Sequence, residues 1–131
     1  MNEKLELALK KFSQAVERLG DAIAEPPSNL QADAVLQRFE FTFELLWKAV
    51  RIYLAETGGI EVSSPKGTLK AAFREQVIKT EEEDLYLKML DDRNTSSHVY
   101  DQQEANEIYA RIRTTYLPAI KTLVSRLKKE N

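Results

Sequence analysis

The stretch "DDRNTSSHVYD", residues 91–101, gathers side chains suited to handling a phosphodiester. Arg93 is a fixed cation whose planar guanidinium grips two phosphate oxygens at once. His98, the one histidine of the chain, exchanges a proton near neutral pH. Tyr100 offers a hydroxyl donor, and Asn94 an amide able to orient either a phosphate or the imidazole. These are the parts needed to cut a phosphodiester without a metal. The plainer reading is that a histidine among Arg, Ser and Thr is a loop or cap residue making local hydrogen bonds.

Geometry sets a condition on the chemical reading. On an unbroken α-helix Asn94 and His98 share a face, whereas Arg93, five positions before His98, points about 140° away from it. Arg93 and His98 converge better where the helix ends or kinks between them. Ser96 and Ser97, which favour caps and local backbone bonding, make such a break plausible.

The elements that must position these groups read as helices. Leu5, Leu9, Phe12, Val16, Leu19 and Ile23 recur at spacings of four and three and form one apolar stripe. "AEPPSN" ends that helix, and Ser28 or Asn29 caps a second, long one carrying Leu36, Phe39, Phe43, Leu46, Trp47, Val50 and Leu54. Such a stripe is core before it is a ligand groove. Gly58 and Gly59 close the second helix, and Ser64 with Pro65 opens a third carrying Leu69, Phe73 and Val77. A fourth, "EEEDLYLKMLDDR", starts with acidic residues where the helix dipole favours them, and Leu85, Tyr86 and Met89 are its candidates for burial. Its acidic run reads as a solvated first turn rather than a metal site. Asp101 and Glu104 form a capping box for a last helix with the stripe Ile108, Ile112, Tyr116, Ile120, Leu123 and Leu127, which Pro118 is expected to kink. Nothing alternates with period two. The chain is therefore expected to be all-α, an up-and-down antiparallel bundle of four to five helices forming one domain over residues 1–131.

Composition excludes several classes. With 19 basic and 21 acidic residues among 131, no net field draws the chain to nucleic acid or an anionic membrane, so any nucleic-acid contact must be local. The basic terminus "RLKKEN" suits the dipole of a helix end without any phosphate. Cysteine is absent and histidine is single, which rules out disulfides and thiolate chemistry and argues against a zinc site. No metal and no cofactor are expected. A long uncharged run is missing, and the chain reads as cytoplasmic, with no membrane partner. The aromatic residues fall mostly on buried stripes, so no stacking platform for single-stranded bases is evident.

The stretch "RNTSSHVYD" resembles the R-x-x-x-x-H-x-Y motif of the HEPN superfamily (higher eukaryotes and prokaryotes nucleotide-binding), in the branch called nucleotidyltransferase substrate-binding proteins. "RFEFTFELLWKAVRIYL" at 38–54 and "SPKGTLKAAFREQVI" at 64–78 are similar to the same branch. The resemblance implies a helical bundle that dimerises through its motif region and is encoded beside a minimal nucleotidyltransferase. It also implies a metal-independent endoribonuclease toxin acting on RNA rather than DNA, with Arg93 and His98 catalytic. The partner nucleotidyltransferase would be the antitoxin, transferring adenylate to the motif tyrosine, Tyr100.

A dimer also has a chemical motive. Attack by a ribose 2′-hydroxyl is helped by one group that takes its proton and another that protonates the leaving 5′-oxygen. Each chain has one histidine, and two chains meeting at the motif supply two. Three readings stand: an endoribonuclease toxin; a non-catalytic subunit that binds a nucleotide or presents a substrate to the nucleotidyltransferase; and a structural module whose motif only knits a dimer.

Overall fold

The computed structural model describes residues 2–98 and 101–129. Its elements are α1 (Glu3–Ala24), α2 (Asn29–Gly58), α3 (Pro65–Arg74), α4 (Glu83–Ser96), α5 (Gln102–Arg111) and α6 (Leu117–Lys129), with a 3₁₀ turn at Thr80–Glu82 and a π-turn at Ile112–Tyr116. Because α5 runs through the π-turn into α6, five helical rods result, and the described residues contain no strand. The expected all-α bundle is what the chain forms.

Each start and stop has a local cause. Asn2 Oδ1 accepts from Leu5 N at 2.9 Å, and Ser28 Oγ from Gln31 N at 2.9 Å. Ser64 Oγ accepts from Gly67 N at 3.0 Å with Pro65 in the first turn, as the sequence predicts. Gly59 takes the left-handed conformation at φ 65°, which lets Ile60 N reach back to Leu54 O and stop α2. Asp101 caps α5 by accepting from Gln103 N.

The long α2 is the centre of the bundle, packed on α1, α3, α4 and α5. That explains why its buried residues (Val35, Leu36, Phe39, Phe43, Leu46, Trp47, Ala49, Val50, Tyr53 and Leu54) cover more than a single stripe. The expected α1 stripe is buried from Leu5 to Leu19, with Ile23 packed at its edge. Val77 lies beyond the end of α3 but is buried all the same. On α4, Tyr86 and Met89 are fully buried and Leu85 only partly, so the core-facing side is turned one residue from Leu85.

The irregularity expected at Pro118 falls just before it. Leu117 N bonds to Ile112 O, one residue further back than in an α-helix. Pro118 has no N–H and cannot continue the α-helical ladder, so the backbone loosens over the turn before it. The widened turn still buries Ile112 and Tyr116, and the Tyr116 ring stacks on Phe39 with centroids 5.6 Å apart.

Two charged segments behave differently from expectation. Glu82 in the acidic run is not a solvated first-turn residue: its carboxylate pairs with Arg126 at 3.0 Å and accepts from Lys79 N at 2.9 Å. Arg126 also donates to Val77 O, so this part of the basic terminus ties α6 to the chain after α3. No helix among the described residues is long and apolar enough to cross a membrane.

Candidate functional site

The helix end expected between Arg93 and His98 is present. Helix α4 ends at Ser96, and Ser97 and His98 form a turn in which His98 N donates to Thr95 O at 2.8 Å. The two serines act as their chemistry suggests. Ser96 Oγ lies 3.0 Å from Arg93 O and donates to Glu40 Oε1 on α2 at 2.6 Å, while Ser97 Oγ reaches Asn94 O at 3.4 Å. His98 is exposed on the turn and Asn94 is exposed on the last turn of α4. Tyr100 lies outside the described residues.

Arg93 sits in the last turn of α4, where a cation suits the helix dipole. Its guanidinium faces Glu44 of α2, with Nη2 3.6 Å from Oε2. Glu44 also accepts from Trp47 Nε1 at 3.0 Å and pairs with Lys48 at 3.3 Å. The indole N–H holds the Glu44 carboxyl below the usual carboxylate range, and Lys48 and Arg93 add to this against the opposing effect of burial. Around Arg93 opens a shallow cleft of about 600 Å³ shared with Arg18 of α1 and with Arg38, Glu40 and Phe41 of α2.

Behind the motif lies a buried anchor that sequence reasoning missed. Asp92, 4% exposed, takes a two-pronged bond from Arg111 of α5, at 2.7 and 3.0 Å, and a bond from the Tyr116 hydroxyl. The bond to Asp92 raises the Arg111 pKa, and burial with the Asp92 contact raises that of Tyr116. Arg111 therefore stays a cation and Tyr116 a neutral donor. This triad fixes the residue beside Arg93 against α5 and the π-turn. In the sequence Asp92 looks like one more residue of a charged run.

Among the described residues no group of three or more His, Asp or Glu side chains is placed to hold a metal. Arg93, Asn94 and His98 all lie at the end of α4, but Arg93 lines the cleft with Arg18 and Arg38 whereas Asn94 lines a different hollow with Ser64, Lys66 and Lys70; a second imidazole would have to come from a further chain.

The fold is that of a small all-α bundle with an Arg and a His at the end of one helix. Over residues 2–129 the chain matches the family described as nucleotidyltransferase substrate binding protein like, and it belongs to that family. Among solved structures it is similar to the protein ttk003001694 from Thermus thermophilus, with 36% sequence identity, coverage of 91% of this chain and 97% of that one, and a TM-score of 0.77. No curated protein matches it.

Proposed function

We propose that this chain is a metal-independent endoribonuclease that works as a homodimer and is controlled, as a toxin, by a cognate minimal nucleotidyltransferase. The observation that carries the reading is the end of α4 at Ser96, between Arg93 and His98. Beyond it the backbone tightens to the bond from His98 N to Thr95 O, so the two side chains are no longer held at α-helical spacing.

In the reaction, His98 of one protomer takes the proton of a ribose 2′-hydroxyl. The 2′-oxygen bonds to phosphorus and the bond to the 5′-oxygen breaks. The imidazolium of the other protomer protonates that leaving oxygen, giving a cyclic 2′,3′-phosphate and a 5′-hydroxyl. Arg93 stabilises charge on the phosphoryl oxygens, with its fork already oriented by Glu44. Asn94 supports the phosphate or the imidazole. Adenylylation of Tyr100 by the nucleotidyltransferase silences the site.

A second reading has its own support. The family description favours a non-catalytic subunit that binds a nucleotide or a substrate for the nucleotidyltransferase. Expression of the chain alone and beside its nucleotidyltransferase, with growth and RNA integrity compared, separates the two. The nuclease reading requires RNA cut to cyclic-phosphate ends in the first case and intact RNA in the second. Intact RNA in both leaves the binding subunit.

A further inference from the structure

We infer that the cleft beside Arg93 is the path of the RNA strand, with one base stacked on Phe41 and the phosphates on either side of it held by Arg18 and Arg38. This rests on the endoribonuclease reading and extends it from the scissile phosphate to the neighbouring nucleotides. Phe41 is 54% exposed, one of three large apolar side chains of the described residues so placed. Its neighbours on the helix, Phe39 and Phe43, are fully buried. A ring two residues from each of them points away from the core, because two helical steps turn about 200°. Burial is therefore not what a phenyl ring is doing at this position.

Its surroundings select a ligand. Arg38 lies three residues before Phe41 on the same face of α2, and Arg18 of α1 and Arg93 of α4 line the same cleft. Arg18 and Arg38 are exposed, and neither is ion-paired among the described residues. The two acidic residues of the cleft are engaged: Glu44 by Trp47, Lys48 and Arg93, and Glu40 by Ser96. The cleft thus offers two uncommitted guanidinium groups, an open aromatic face and the motif arginine. A second hollow shares Arg18 and Arg38 but is also lined by the exposed Asp21 and Glu25, so the strand path is confined to the cleft at Phe41. Aromatic rings for bases with cations for the intervening phosphates are how single-stranded nucleic acid is held without dependence on sequence. The sequence places no aromatic platform in view because Phe41 looks like part of the buried Phe39 and Phe43 stripe.

The test is fluorescence anisotropy of the full-length protein with a labelled single-stranded 2′-O-methyl RNA, which lacks the attacking hydroxyl and survives contact with an active site. Phe41→Ala is expected to weaken binding roughly tenfold, and Phe41→Trp to restore it. Arg18→Gln with Arg38→Gln is expected to reduce the slope of log affinity against log salt by about 1.4, two single-strand phosphate contacts. Lys10→Gln with Lys121→Gln removes the same charge elsewhere and is expected to leave the affinity unchanged.

Wild-type affinity in Phe41→Ala and the arginine double variant, or no binding by the wild type, overturns the proposal. So does a Phe41→Ala protein that turns monomeric in sedimentation and binds RNA normally once concentrated into a dimer, since the patch is then an interface between copies. Binding lost as expected in a protein that never cuts unmodified RNA upholds the strand path and removes the nuclease. Cleavage unaltered in KM and kcat by Phe41→Ala does the reverse.

Discussion

Arg93 Nη2 stands 3.6 Å from Glu44 Oε2, so the motif arginine is oriented by a carboxylate on the neighbouring helix. That carboxylate is held below its ordinary pKa, first by the Trp47 N–H and further by Lys48 and Arg93. A carboxyl depressed in the folded state contributes stability above its unfolded pKa and loses that contribution as pH falls through the folded value. Glu44→Gln is therefore expected to cost up to about 1 kcal/mol at neutral pH, a small figure because solvent screens a partly exposed pair. The difference from wild type should close in acid, once the pH has fallen below the usual carboxylate range. Urea denaturation of both proteins at neutral pH and in acid checks this, and a gap that persists in acid contradicts it.

Asp92 tells a different story because it is buried. Its removal strands Arg111 and the Tyr116 hydroxyl, both of which donate to it. Asp92→Ala is expected to cost about 3 kcal/mol, the low end for breaking a buried pair, since Arg111 reaches solvent on one side. Arg111→Ala in the Asp92→Ala background should cost far less than in the wild type. Additive losses in this double-mutant cycle would show that the two residues do not act together.

Much of this bundle is legible in the sequence, and the boundary of legibility is physical. Periodicity reports which face of a helix avoids water, so the α1 stripe, the aromatic stripe of α2 and the run from Ile108 to Leu127 are all found where expected. Capping is equally local, and Ser64, Pro65 and Gly59 act as their types demand. Pairings between helices are not periodic. Nothing in "EEED" announces that Glu82 meets Arg126, and nothing in "DDR" announces that Asp92 lies under Arg111 and Tyr116. Phe41 is the converse case: apolar composition suggests burial, and only its angular position between Phe39 and Phe43 signals exposure. The break after Ser96 was predictable from two serines, whereas the Glu40 carboxylate that holds Ser96 lies 56 residues away.

Removal of the proposed catalytic groups should be severe and specific. His98→Ala is expected to lower RNA cleavage by at least about a hundredfold through loss of proton transfer, with no loss of helicity, because the His98 side chain is exposed. Arg93→Ala should lower kcat by a similar factor. Arg93→Lys should recover only part, since an ammonium keeps the charge but not the fork. Single-turnover cleavage followed on a gel, with circular dichroism for the fold, measures all three. Cleavage by His98→Ala at the wild-type rate would leave the binding-subunit reading in its place.

Tyr100 is expected to be the switch. It lies between His98 and Asp101, both exposed, and two residues from the proposed proton-transfer group. An adenylate on its hydroxyl adds a negatively charged phosphodiester and a nucleoside. The negative charge competes with RNA phosphate for Arg93, and the bulk obstructs the approach to His98, so no refolding is required for inhibition. Incubation of the wild-type chain with its nucleotidyltransferase and ATP should yield adenylate-sized mass increments and lose RNA cleavage in parallel. Tyr100→Phe should gain no increment and stay active in the presence of the nucleotidyltransferase, making it the more harmful protein when the two are co-expressed. Intact mass spectrometry decides the matter: a wild-type chain that gains no mass, or a Tyr100→Phe chain that gains as much as wild type, removes Tyr100 from this role.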